Sequence, residues 1–446
     1  MPNLFAYMAL ITWPIISLGL FKRFQAVTAV FWTIVGGYLL LPAKVGIDFP
    51  LIPPLDKESI PAITALIGCI YVAKKKISFI PGSGIERWLV ISLLILPFIT
   101  IINNPESVNG IPGLTYHDAL SAVINQYLGL IPFILGMQLI KSYEDQLELF
   151  KLVVIAGLLY SLPILFEVRM SPQLHSWIYG FFPHSFLQQI RFGGFRPVVF
   201  LGHGLLVAMF VAVILGAAAL LWKNNTKIRD IPPYIIVVYF FILLFLCKTL
   251  SGFLLGAFLL LAIGWMPVYI IKRLALLILF TVISYPILSI FELFPHQELI
   301  EITESFDTQR ADSLDFRFYH ESKLLEHAQE KLLFGWGGWG RNRLSKSVSD
   351  GYWIITLGQY GIIGFGAFFG LAILSGWRGV QSTRFLNTAN EQRLLVGHAL
   401  MVSVILVDQL PNASLHSWLW FFIGALLGRA NHVSKEPPAY FSQAGV

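Results

Sequence analysis

Residues 197–222 read PVVFLGHGLLVAMFVAVILGAAALLW. The run holds no Asp, Glu, Lys or Arg, and a helix needs only about 20 residues to cross the hydrocarbon of a bilayer. In lipid every backbone N–H and C=O must find its partner within the protein, so such a run reads as a helix. A transmembrane β-barrel would instead alternate in segments of about 10 residues. Working outward, further apolar runs fall at 4–20, 26–41, 60–73, 88–102, 119–140, 151–167, 231–247, 250–271, 274–294, 352–376, 394–410 and 415–429. The expected fold is an all-α polytopic membrane protein of about 12–13 transmembrane helices. Composition agrees: 56% of the 446 residues are hydrophobic and 13% charged, against about 25% charged in soluble domains. The first run, Leu4 to Leu20, lacks a basic segment before it and reads as a retained helix. Cys69 and Cys247 both lie inside apolar runs, as small core residues rather than a disulfide framework.

Lysine and arginine orient the spans. Lys22, Arg23, Lys74, Lys75, Lys76, Arg87, Lys141, Lys151, Lys223, Lys227, Arg229, Lys272, Arg273, Arg378, Arg384 and Arg393 fall in one set of connections. That side is expected to be cytoplasmic. Met1 and two long loops, 168–196 and 295–350, then lie outside. The chain divides into N-terminal spans (1–167), central spans with the first loop (168–294), the large outer loop (295–350), and C-terminal spans with a cytoplasmic tail (351–446).

The outer loops break the charge bias. In the first, Trp177, Tyr179, Phe181, Phe182 and Phe186 suit a membrane interface. Arg191 and Arg196 follow, and either snorkel to lipid headgroups or clamp a diphosphate, whose oxygens match a guanidinium fork. Gly193 and Gly194 would let a ligand approach the backbone. In the second loop, Glu298, Glu301, Glu304 and Asp307 recur at every third residue, as a solvated helix face or a divalent-metal site. Residues 316–333 read as an amphipathic helix, with Phe318, Leu325, Ala328 and Leu332 on one face. Arg317 and Glu321 are spaced for a surface ion pair. Gly335-Trp336-Gly337-Gly338-Trp339-Gly340-Arg341 lacks the terminal Gly-Lys-Ser/Thr of a nucleotide-binding loop. Its tryptophans suit either the packing of sugar rings or an interface anchor. Asp350 precedes the next span, as a helix cap or as a carboxylate facing the arginines.

These features resemble the O-antigen ligase and O-antigen polymerase family. Arg317 followed by Leu333-Phe334-Gly335-Trp336-Gly337 looks like that family's Arg and Pro-Leu-x-Gly-x-Gly turn, with Leu332 in the proline place. Asp350-Gly351, nine residues, then Gly361-Ile362-Ile363-Gly364 has the spacing of its His-containing signature, without the His. Arg191-Phe192-Gly193-Gly194-Phe195 resembles its Arg-x-x-Gly-x-Phe stretch. Lys248-Thr249-Leu250-Ser251-Gly252 resembles its Thr-x-Ser-Arg turn, with Lys248 compensating for the missing arginine. The resemblance covers roughly residues 190–375.

It implies a multi-pass glycosyltransferase of the bacterial inner membrane. Its active site would face the periplasm and take glycan from an undecaprenyl-diphosphate carrier. Family ligases pass the glycan to lipid A core or to protein, whereas polymerases join one lipid-linked repeat unit to another. Ligases carry His at the place of Asp350 and polymerases often Asp. Polymerisation of O-antigen or exopolysaccharide repeats is therefore expected, with ligation as the alternative. Membrane lipids, a flippase and a chain-length regulator are the implied partners; no nucleic acid, cofactor or metal is implied.

Arginines can neutralise the charge that develops on a departing diphosphate, and a carboxylate can accept the proton of an acceptor hydroxyl. The candidates are Arg191, Arg196 and Arg317 on diphosphate, with Lys248 and Arg341 secondary. Asp350 is the candidate base and His203 its alternative, while Trp336 and Trp339 are candidate glycan contacts. The rival class is a polysaccharide transporter or flippase. Transporters usually carry paired repeats around a midplane site; here no repeat is evident and the polar residues gather at the outer surface.

Overall fold

The computed structural model describes residues 1–435 apart from 50, 51, 109, 192, 345, 346, 349 and 350, and apart from the side chain of 309. Asp350, the expected base, lies outside the described residues. Helices make up 71% of the chain, so the protein is all-α. The sheet content of the described residues is two short hairpins, β1 (Gly46–Phe49) with β2 (Ile52–Asp56), and β3 (Ile190–Arg191) with β4 (Gly194–Phe195).

Sixteen α-helices run in order through the described residues. They are α1 (Leu4–Arg23), α2 (Ala26–Leu40), α3 (Ser59–Ile67), α4 (Ile85–Ile102), α5 (Tyr116–Leu139), α6 (Tyr143–Met170), α7 (Leu174–Tyr179) and α8 (Gly204–Lys223). There follow α9 (Pro233–Leu246), α10 (Leu250–Trp265), α11 (Val268–Ile290), α12 (His296–Glu304), α13 (Thr308–Gln329), α14 (Tyr352–Ser382), α15 (Ala389–Asp408) and α16 (Ser417–Lys435). Seven are long and apolar enough to cross a membrane: α1, α4, α5, α6, α8, α11 and α14 with its short extension to Phe385. Four more apolar helices are shorter, among them α9 and the Ser59–Val72 run that α3 begins.

Local signals account for several ends. Asn3 caps α1 through Oδ1, which accepts from Ala6 N–H at 3.0 Å, and Lys22 and Arg23 occupy its last turn, where the helix dipole favours cations. Ser142 and Asp145 cap α6 reciprocally, at 3.0 and 2.9 Å. The helices pack through small residues, as expected where lipid tails offer no hydrophobic drive between them. On α5 and α16, a Cβ at Gly136, Gly424 or Gly428 would lie within 2.1–2.3 Å of a carbonyl oxygen of the facing helix.

The expected span at 197–222 starts later, at Gly204, because a buried carboxylate holds the preceding residues in a turn. Glu167, fully buried at the end of α6, accepts from the N–H groups of Val198 and Val199, both at 2.7 Å, and of Leu174 at 2.9 Å. Lys57 Nζ donates to the Phe200 carbonyl at 2.9 Å. The loop at 171–203 is thereby tied to the connection between α2 and α3. The acidic run forms α12, on which Glu298, Glu301 and Glu304 are all exposed. The amphipathic helix begins earlier than its pattern suggested, as α13.

Candidate functional site

The β3–β4 hairpin brings the first arginines to a second element. Arg196 Nε donates to the Lys248 carbonyl at 3.1 Å. The Lys248 side chain reaches back so far that a Cβ on Gly194 would lie 2.1 Å from its Nζ. Two motifs separated by some fifty residues thus form one cationic patch. Burial and the charge of Arg191 both lower the pKa of Arg196, which places the two guanidinium groups within electrostatic reach. Lys44 and His184 join this patch. His184 and His203 stack edge to face at 4.6 Å. Burial first, then the charges of His184, Arg196 and Lys44, bring His203 down to about 4.

Crowded cations of this kind make an anion site, and it opens on an apolar cleft. A cavity of about 460 Å³ is lined by Phe245, Leu246, Lys248, Thr249, Leu250, Phe253 and Arg310. Arg310, paired with Asp307 at 3.0 Å, comes from α13 and lines the cleft together with Lys248. The arrangement offers grease for a chain and positive charge for its head.

Arg317 lies seven residues beyond Arg310, hence two turns and about 10 Å along the same face of α13. It lines a separate cavity of about 190 Å³ with Tyr285, His320, Glu321 and Gly351. A second carboxylate, Asp408, lies within electrostatic reach of Arg317. Asp408 is 8% exposed and accepts from Asn412 Nδ2 and Ser414 Oγ at 2.8 and 2.9 Å. Glu321 directs its oxygens to Tyr285 Oη at 2.5 Å and Trp353 Nε1 at 3.2 Å. The expected clamp is therefore two places joined by one helix, Arg191, Arg196 and Lys248 at one and Arg317 at the other.

Three expected site residues have other work. Arg341 is fully buried. Its guanidinium donates to the carbonyls of Trp336, Glu106 and Pro112 at 3.3, 3.0 and 2.8 Å. It pins the loop after α4 to the large loop and is not placed to hold a diphosphate. Trp336 is also buried; its Nε1 donates to the His327 carbonyl at 2.7 Å and its ring stacks on His327. That makes it a core tryptophan, whereas Trp339 is half exposed. His203 caps α8, its Nδ1 accepting from Leu205 N–H at 3.1 Å. The proton of the neutral ring then sits on Nε2, which makes it a donor suited to an anion and not a base.

Sequence reasoning missed Lys44, His184, Glu167, Arg310 and Asp408. The signal for Glu167 was a lone acid at the end of an apolar run, which is costly unless satisfied. Lys44 and His184 carried no local signal, because only the tied loop brings them to the arginines. Among the described residues, no three His, Cys, Asp or Glu side chains gather as a metal site would need. No protein-family model matches the sequence, and no curated protein matches it. Function is therefore read from the chemistry of these sites.

Proposed function

We propose that the chain is a multi-pass glycosyltransferase of a bacterial inner membrane that joins polyprenyl-diphosphate-linked repeat units of a surface polysaccharide on the outer face. In this reading the lysine-rich connections face the cytoplasm, and both cationic places would then lie on the outer face. The observation that carries the reading is the apolar cleft rimmed by Lys248 and Arg310 beside Arg191 and Arg196. A polyprenyl diphosphate has that same division, an apolar chain ending in fixed negative charge.

In this reading the cleft holds the carrier, and the cations stabilise the diphosphate as its bond to the sugar breaks. Arg317, two turns along α13 in the adjoining cavity, stabilises charge on the sugar side of the breaking bond, and Asp350 or Asp408 accepts the proton of the attacking hydroxyl. The test is deletion of the gene followed by gel analysis of surface glycans. Single-repeat products indicate the polymerase. Full-length chains left on the lipid carrier indicate a ligase acting on lipid A core or protein. Unchanged glycans sink both.

A further inference from the structure

The first turn of α14 has a cavity on either side. Gly351 and Ile354 line the one that holds Arg317, and Tyr352 and Ile355 line a second of about 330 Å³. That volume lies within the range of small-molecule sites. Its walls come from the α2–α3 connection, α5, α14 and the start of α16, and they are unusually polar for a position among apolar helices.

Two buried polar groups in those walls have no hydrogen-bond partner among the described residues. Gln126 on α5 is 4% exposed, and neither end of its amide is hydrogen-bonded, although the Tyr360 hydroxyl lies beside it outside hydrogen-bonding geometry. Ser417 Oγ is likewise buried and unsatisfied. Leaving a buried amide or hydroxyl unpaired is costly, and polar residues among membrane helices generally serve a ligand or a partner.

A third group is held ready. Glu58 Oε1 lies 3.1 Å from His416 Nδ1, and its Oε2 accepts from Ser417 N–H at 2.8 Å. In the neutral ring, Nδ1–H given to the carboxylate leaves Nε2 as an acceptor. Gln359 Nε2 donates to Tyr360 Oη at 2.9 Å, which leaves its amide oxygen for a ligand. The cavity therefore offers amide donors and acceptors, a hydroxyl, an imidazole acceptor and the rings of Tyr352, Tyr360 and Trp420. This is the chemistry of a neutral, polyhydroxylated ring.

We propose that this cavity binds an uncharged sugar through Gln126, Gln359, His416 and Ser417, and, resting on the function proposed above, that the sugar belongs to the acceptor glycan. One helical turn then separates the acceptor from Arg317.

The test uses the full chain in lipid nanodiscs and saturation-transfer NMR with glucose, galactose, N-acetylglucosamine and N-acetylgalactosamine as probes. The wild type is expected to bind at least one of them. Gln126→Leu should weaken that binding at least about tenfold, the value of a lost hydrogen-bond pair, and so should Ser417→Ala together with His416→Leu. Gln126→Leu should fold as well as the wild type, because it removes an amide that is unpaired without ligand. Arg317→Ala should bind the sugar normally. Absence of binding to all four sugars, or undiminished binding by Gln126→Leu, overturns the site. Sugar binding that is lost in Gln126→Leu in a protein without transfer activity upholds the site and removes only its assignment to an acceptor. Transfer that depends on Arg317 while Gln126→Leu keeps the wild-type KM for acceptor overturns the assignment and leaves the transferase.

Discussion

Gly335 and Gly361 meet backbone to backbone: a Cβ built on Gly335 would lie 2.5 Å from the Gly361 nitrogen, and one on Gly361 would lie 2.4 Å from the Leu333 carbonyl. Gly361 has φ 66° and ψ −173° and breaks α14. The groups freed by the break are taken up by the 332–337 turn. Trp336 N–H donates to Gly358 O at 2.8 Å, Gly337 N–H to Gln359 O at 3.0 Å, and Ile362 N–H to Leu332 O at 2.7 Å. Broken helices persist at membrane depth only when protein satisfies them in this way.

Gly361→Ala should therefore destabilise the fold by about 3 kcal/mol or more, since that backbone conformation is open to glycine almost alone and the new methyl meets a carbonyl. Gly366→Ala, in the same helix with nothing within 4 Å of its Cβ position, should be close to neutral. Thermal unfolding of the two variants in one detergent checks the difference; equal melting would mean the turn does not dock in the break.

The glycine turn and the Gly-x-x-Gly pair were legible in the sequence as motifs, but their mutual contact was not, because spacing along a chain does not report which backbones touch. The apolar runs gave the helices, since lipid leaves the backbone no alternative. The start of α8 was misplaced by seven residues, because Val198 and Val199 are as apolar as a span and only the distant Glu167 holds them in a turn. Arg341 and Trp336 read as ligand groups for a related reason. A loop arginine carries no mark of being buried against three carbonyls, nor a tryptophan of being stacked on His327.

Arg341 and Arg317 should separate by stability. Arg341→Ala leaves buried carbonyls unsatisfied and should cost on the order of 3 kcal/mol, with loss of folded protein. Arg317→Ala should melt near the wild type. The comparison is made by unfolding in detergent, and an Arg341→Ala protein as stable as the wild type would refute the structural role.

Arg191→Ala, Arg196→Ala and Lys248→Ala should each weaken binding of undecaprenyl diphosphate, by about tenfold where a charge-assisted hydrogen bond is lost. High salt should weaken wild-type binding too, most of all through the exposed Arg191. Unaltered affinity in all three variants would mean that the arginines only snorkel.

His175 predicts a pH dependence of the loop at 171–203. Its Nε2 accepts from Ala43 N–H at 3.2 Å and its Nδ1–H donates to the Phe181 carbonyl at 2.7 Å, so the ring must be neutral. Burial is the main cause that brings it down to about 4. A histidine lowered on folding stabilises fully above its ordinary pKa of about 6.5, and that contribution is lost as pH falls toward 4. Hydrogen exchange at Ala43 and across residues 174–181, corrected for intrinsic rates, should accelerate between pH 6.5 and 4. A flat profile would contradict the assignment.

The most direct measurement is elongation by the purified protein in liposomes supplied with its lipid-linked repeat unit, with products resolved on a gel. The wild type should give a ladder of longer chains. Arg317→Ala should leave only single units while remaining folded, and Arg317→Lys should recover little, because a point charge cannot form the bidentate contact. No lengthening by the wild type, or a ladder from Arg317→Ala equal to the wild type's, would contradict transfer at this site.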